Sequence, residues 1–224
     1  MEQKINLLFL NGAGGTGKSS IITELKKIVV PEEGWHFYYS STRATYARLG
    51  FTDETTSLQA DPQARIDLQL AIMEDERKGI EQLVNTIRNE NEHANPVLVV
   101  DRGPLNRMAY YLLTMKECAP GPITPFYDML KLCTSWMDGL RVNTINHVLA
   151  PYPVPWATED QFRDTNYLQT LELALLTEAI LSRYAELQID TKSYYLNDRN
   201  IMAGSAEKRA HNIHHLMRVK QTWV

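Results

Sequence analysis

Apolar and polar positions sort the chain into short apolar runs and longer periodic stretches. Ile5 to Leu10, Trp35 to Tyr39, Val97 to Val100, Thr144 to Ala150 and Ser193 to Leu196 have strand length. Val97-Leu98-Val99-Val100 is continuously apolar, the form of a strand buried on both faces. Between the runs, apolar residues recur at helical spacing. Ile21, Ile22, Leu25, Ile28 and Val29 mark a helix over Ser20 to Val30. Asp61-Pro62 reads as an N-cap with proline at the first helical position. Ile66, Leu70, Met73, Ile80, Leu83, Val84 and Ile87 then carry one long helix to about Asn91. Pro104 opens a helix with Leu105, Met108, Ala109, Leu112 and Leu113 inward, and Phe126 to Leu140 reads as the next. Helices over 167–187 and 205–219 complete the pattern. Strands alternating with helices predict an α/β three-layer sandwich, a central parallel sheet of about five strands covered on both faces. One domain spanning 1–224 accounts for the chain, with a polar, lid-like segment at 151–166.

The turn between the first strand and the first helix carries the chemistry. Gly12-Ala13-Gly14-Gly15-Thr16-Gly17-Lys18-Ser19 fits the phosphate-binding pattern G-x-x-x-x-G-K-[ST] at every fixed position, and Ser20 follows it. Glycines let the backbone approach a ligand closely, and the amides line a concave anion site at a helix N-terminus. Lys18 is expected to reach the outer phosphates and Ser19 to ligate Mg2+, so the cofactors expected are ATP and Mg2+. Asp101 ends the continuous strand. It is expected beside the loop, supporting the metal through water or taking a proton from an attacking hydroxyl. Its alternative is a capping Asp. Arg102 is a candidate for neutralising charge on the acceptor or the moving phosphoryl group. Asn106, Arg107 and Tyr110, in the first two turns of the next helix, are candidate acceptor contacts. Arg43, past the second strand, is another, its alternative being a solvated loop arginine. Arg163, in the lid-like segment, is the candidate that closes over ATP, and its alternative is an exposed arginine before a helix. Asn197 to Asn200 are expected near the nucleotide base.

Other features change the picture less. Glu74-Asp75-Glu76 reads as a solvated stretch without chemistry. His211, His214 and His215 share a helical face, but no carboxylate or cysteine joins them, which favours a solvated or capping role over a metal site. Two cysteines, Cys118 and Cys133, form neither a metal cluster nor a disulfide framework. With 44% hydrophobic and 22% charged residues, the 224-residue chain has a globular composition. A net charge of −4 argues against a broadly basic nucleic-acid surface, although Arg43, Arg48, Arg102 and Arg107 leave room for a local groove. The absence of a signal-peptide pattern and of a membrane-length apolar run predicts a soluble, cytoplasmic protein.

Three stretches make the chain resemble P-loop nucleoside and nucleotide kinases of the thymidylate kinase-like group. They are the glycine loop through Ser20, Thr42-Arg43 after the second strand, and Asp101-Arg102 followed by Ala109-Tyr110. Phe162-Arg163-Asp164-Thr165 also resembles the lid region of small kinases of the nicotinamide riboside type. Where that group has Glu-Pro, an aromatic residue and Ser, this chain has Ala44-Thr45, Gly103 and Asn106. The resemblance implies transfer of the ATP γ-phosphate to a nucleotide or nucleoside, with a (deoxy)pyrimidine nucleoside monophosphate favoured. It also implies an alternative, the viral branch that phosphorylates 5-hydroxymethyluracil within DNA, which would work in the host cytoplasm. Partners expected are a small-molecule acceptor, DNA as the alternative acceptor, and a second copy of the chain as one assembly state. A nucleotide-dependent switch or assembly NTPase is the rival from another class. No second acid follows Asp101 to activate water, which counts against it.

Overall fold

The computed structural model describes residues 5–52, 60–90, 92–118, 124–142, 144–149, 167–187, 193–196 and 204–221. Its sheet has five strands, β1 (Asn6–Asn11), β2 (Trp35–Tyr38), β3 (Val97–Asp101), β4 (Thr144–Leu149) and β5 (Ser193–Leu196). They lie in the order β2-β3-β1-β4-β5, and every neighbouring pair is parallel. The helices are α1 (Lys18–Ile28), α2 (Thr42–Arg48), α3 (Pro62–Glu90), α4 (Pro104–Cys118), α5 (Thr124–Gly139), α6 (Tyr167–Leu187) and α7 (Ala206–Gln221).

The side-chain period of two explains the three layers. Leu7 and Phe9 of β1, with Leu98 and Val100 of β3, face a core that contains Ile80, Val84 and Ile87 of α3, Leu105 of α4 and Met137 of α5. Leu8 and Leu10, with Val97 and Val99, face the other way, onto Ile21, Ile22 and Leu25 of α1 and Ala210, Ile213 and Met217 of α7. Each of these strand residues is fully buried, and burying one such side chain contributes roughly 1.5–3 kcal/mol. Both faces of β1 and β3 are therefore apolar, which is why their runs read as continuous.

Helix starts follow local chemistry. Asp61 Oδ1 accepts from the backbone N–H groups of Gln63 and Ala64 at 3.0 and 3.1 Å, capping α3 ahead of Pro62 as expected. Residues 42–48 form helix α2. Thr45 anchors it, bonding Ser41 O and, at 2.7 Å, Asp75 Oδ2 of α3.

From β1 the chain crosses past β3 to reach β2, and from β3 it crosses past β1 to reach β4. Neighbouring strands whose connections leave in opposite directions open a crevice at their carboxyl ends, the place where ligands bind in such sheets. Here that crevice receives the glycine loop and Asp101. Among the described residues no helix is long and apolar enough to cross a membrane, and no group of three or more His, Cys, Asp or Glu could hold a metal. His214 bonds Glu33 at 2.9 Å and packs on Trp35, while His211 and His215 are exposed.

Candidate active site

The loop after β1 is built by backbone that only glycine adopts easily. Gly15 and Gly17 have φ of 75° and 83°, in the left-handed region. Gly17 is the N-cap of α1, whose helical bonds begin at Ile21 N to Gly17 O, 2.9 Å. The helix starts two residues earlier than its apolar spacing predicts, so Lys18, Ser19 and Ser20 form its first turn, at the positive end of the helix dipole. Lys18 is buried inside the loop. Its ammonium donates to Gly12 O at 2.9 Å, Ala13 O at 2.6 Å and Thr16 Oγ1 at 3.1 Å. Thr16 Oγ1 in turn donates to Ala13 O at 3.1 Å. Gly14 has nothing within 4 Å of a Cβ position, so the mouth of the loop is open there.

β1 and β3 are in register with Leu10 opposite Asp101, which brings the carboxylate to the foot of the loop. Ser19 Oγ donates to Asp101 Oδ2 at 2.8 Å. Asp101 is 6% exposed, and its Oδ1 has no hydrogen-bond partner among the described residues. A serine hydroxyl exposed at its outer side and a carboxylate with one unengaged oxygen form a hard-oxygen donor set, which suits Mg2+. The residues present fit that ion.

Arg102 follows in a left-handed conformation, φ 76°, with its N–H on Leu10 O at 2.9 Å. Its guanidinium lies over the Tyr110 ring at 5.0 Å, with that of Arg107 also 5.5 Å from the ring centre. Gly103 N donates to Asn11 Oδ1 at 3.0 Å. A Cβ at 103 would stand 2.7 Å from the Phe9 ring, so the fold has no room for the aromatic residue of thymidylate kinase-like proteins. Asn11 Nδ2 meets His147 Nδ1 of β4 at 3.1 Å. Asn11 thus ties three strands together under the loop, a role its position just past the apolar run Ile5 to Leu10 did not announce.

The acceptor-side candidates separate. Arg43 is exposed on α2. Arg102 and Tyr110 are partly exposed at the crevice. Asn106 and Arg107 are buried, at 0% and 2%. Asn106 Nδ2 donates to Thr177 of α6 at 2.8 Å. Arg107 Nε donates to Glu76 Oε2 at 2.7 Å, and its Nη2 reaches Glu76 Oε1 and, at 2.6 Å each, the hydroxyls of Ser40 and Thr42. These two residues hold the wall together from behind. The acidic stretch on α3 is likewise not a solvated face. Asp75 pairs with Arg48 at 2.6 Å, and Glu76 is 4% exposed. Its position between Ile72 and Ile80, four residues from each, was the available signal, since it occupies the buried stripe Leu68, Ile72, Glu76, Ile80, Val84 and Ile87. Arg163 and Asn197 to Asn200 lie outside the described residues.

Among solved structures, two of NadR protein share this fold. One, in complex with NR, gives a TM-score of 0.56 at 15% sequence identity, covering 96% of this chain and 51% of that one. The other, in complex with NAD and AMP-PNP, gives 0.55 at 13% identity, covering 96% and 50%. The chain therefore spans about half the length of these NadR chains. No curated protein sequence matches it. The AAA domain family profile matches residues 8–199, a span holding the glycine loop, Asp101 and all five strands apart from the start of β1. On that extent this nucleotide-binding P-loop chain belongs to the AAA domain family.

Proposed function

We propose that the chain is an ATP- and Mg2+-dependent phosphotransferase that moves the γ-phosphate to a nucleoside or nucleotide, with a (deoxy)pyrimidine nucleoside monophosphate as the acceptor. The observation that carries this reading is the 2.8 Å bond from Ser19 Oγ to Asp101 Oδ2, which couples the phosphate loop to an acid facing the crevice. The NadR structures add support, since the same fold there accompanies AMP-PNP, an ATP analogue, in one case and NR in the other.

In this proposal the amides of residues 12–20 and the Lys18 ammonium bind the triphosphate. Ser19 and Asp101 would hold Mg2+, which would supply positive charge against the negative phosphates. As the alternative to a role at the metal, Asp101 orients the acceptor hydroxyl or takes its proton. Arg102, steadied on Tyr110, places positive charge where the acceptor and the transferring group meet, and Arg43 stands on the acceptor side. Arg163 is assigned to lid closure. Such transfers depend on positioning and electrostatics rather than on a covalent enzyme intermediate. The residue after Asp101 is Arg102 and not a second acid, which favours transfer to an acceptor over hydrolysis.

The test is the mass of products after incubation with ATP, Mg2+ and a panel of nucleosides, nucleoside monophosphates, nicotinamide riboside and DNA carrying hydroxymethyl bases. One small acceptor should gain a phosphate, with ADP formed in equal amount. ADP that stays at the level of ATP alone across the panel would refute the kinase reading. Phosphorylation confined to DNA would replace the acceptor with a base in a polymer.

A further inference from the structure

α7 packs on α1, and one of its residues reaches the phosphate loop from outside. Arg209 Nη1 donates to the Thr16 carbonyl at 3.1 Å. The same nitrogen would lie 3.5 Å from a Cβ on Gly17. The next residue, Ala210, is fully buried against the core shared with Ile21, Ile22 and Leu25, so packing fixes where Arg209 stands. Arg209 Nε is buried with no hydrogen-bond partner among the described residues. Desolvation holds the guanidinium pKa below its usual value, and among the described residues no acid raises it. A cation taken partly out of water without a counter-charge is costly. Among the described residues its one hydrogen-bond acceptor is a loop carbonyl.

Thr16 is consequently gripped from two sides. Inside the loop, its hydroxyl bonds Ala13 O and receives Lys18. Outside, its carbonyl is taken by Arg209. A trans peptide is planar, with C=O and the following N–H pointing in opposite directions. A Thr16 carbonyl fixed toward α7 turns the Gly17 N–H toward the interior of the loop. That amide is one of the unpaired donors at the start of α1 that an anion needs.

We propose that Arg209 is a positioning residue for nucleotide binding: it fixes the Thr16–Gly17 peptide so that Gly17 N–H faces a polyphosphate, and it places positive charge behind the loop. This rests on the nucleotide-binding reading above and deepens it, because it makes the C-terminal helix part of the phosphate site. An incoming triphosphate supplies a counter-charge that Arg209 does not find among the described residues.

The experiment titrates AMP-PNP with Mg2+ into the full chain and into Arg209→Gln and Arg209→Lys, with steady-state ATP kinetics alongside. Arg209→Gln should weaken AMP-PNP at least tenfold and raise the ATP KM by a similar factor, with kcat changed less than threefold. Arg209→Lys keeps the charge and one donor, and should recover most of the affinity. The ligand-free melting temperatures of the three should agree within a few degrees. Wild-type affinity in Arg209→Gln would overturn the proposal. So would equal losses in both variants accompanied by equal loss of ligand-free stability, which would reduce Arg209 to a packing residue. A wild-type chain that binds no AMP-PNP would instead overturn the nucleotide reading itself.

Discussion

Arg102 and His147 show how single residues near the crevice trade stability against function. Arg102 holds a φ of 76°, which costs a non-glycine residue roughly 1–2 kcal/mol. Arg102→Gly removes that strain, but it loosens the unfolded chain less favourably by about 0.4–1 kcal/mol and loses the stacking on Tyr110, about 0.5–1 kcal/mol. The terms nearly cancel. Urea denaturation of the variant should therefore fall within about 1 kcal/mol of wild type, while the phosphoryl transfer proposed above should drop on the order of a hundredfold or more. A large loss of stability would mean that Arg102 is structural. His147 is fully buried, and desolvation pushes its pKa down to about 3. Its Nδ1 accepts from Asn11, whose amide is oriented by Gly103 N on Oδ1, so the neutral ring is the one the network needs. The unfolded chain takes up this proton near pH 6.5 and the folded one only near pH 3, so stability present above 6.5 is lost as the pH falls between those values. By pH 5 the loss is about 2 kcal/mol. His147→Gln should flatten this part of the pH–stability curve relative to wild type; an unchanged slope would assign the acid sensitivity to other groups.

At the scale of elements, α3 carries the clearest internal tension, a buried ion pair in an apolar stripe. Glu76 and Arg107 join α3 to α4, and through Ser40 and Thr42 to the start of α2. Removing one partner leaves the other buried and uncompensated, so Glu76→Gln should cost about 3–5 kcal/mol. Glu76→Leu combined with Arg107→Met should cost much less than the sum of the singles, a coupling that equilibrium unfolding of the four chains would read. Additive losses would show that the charges are solvated. The same helix shows what a sequence reveals. Its span, its Asp61 cap and most of its apolar positions follow from period and local chemistry, as do the spans of all five strands. Glu76 was hidden because a carboxylate beside two other acids reads as surface until its arginine, 31 residues further on, is seen to face it. Asn11 and Arg209 were hidden for a related reason: their partners, Gly103, His147 and Thr16, are distant in the chain and close only after the sheet forms. The glycine loop, by contrast, is local, and Asp101 was legible because an acid at the tip of an apolar run has one place to go in a parallel sheet.

For the molecule as a whole, the strand order puts the loop, Asp101 and the wall of α4 around one crevice between two independently packed cores. A ligand that binds only this folded arrangement must stabilise it. AMP-PNP with Mg2+ at about a hundred times its Kd should add about 2.7 kcal/mol, which for a chain of this size is a rise in melting temperature of roughly 5–10 °C. Ser19→Ala and Lys18→Met should abolish most of that rise without lowering the ligand-free melting point by more than a few degrees. A full shift in both would place the nucleotide elsewhere on the surface. The ammonium of Lys18 already rests on two carbonyls and a hydroxyl of its own loop. Any anion that engages this ammonium must take the place of one or more of those three oxygens, so binding here exchanges bonds internal to the loop for bonds to the guest.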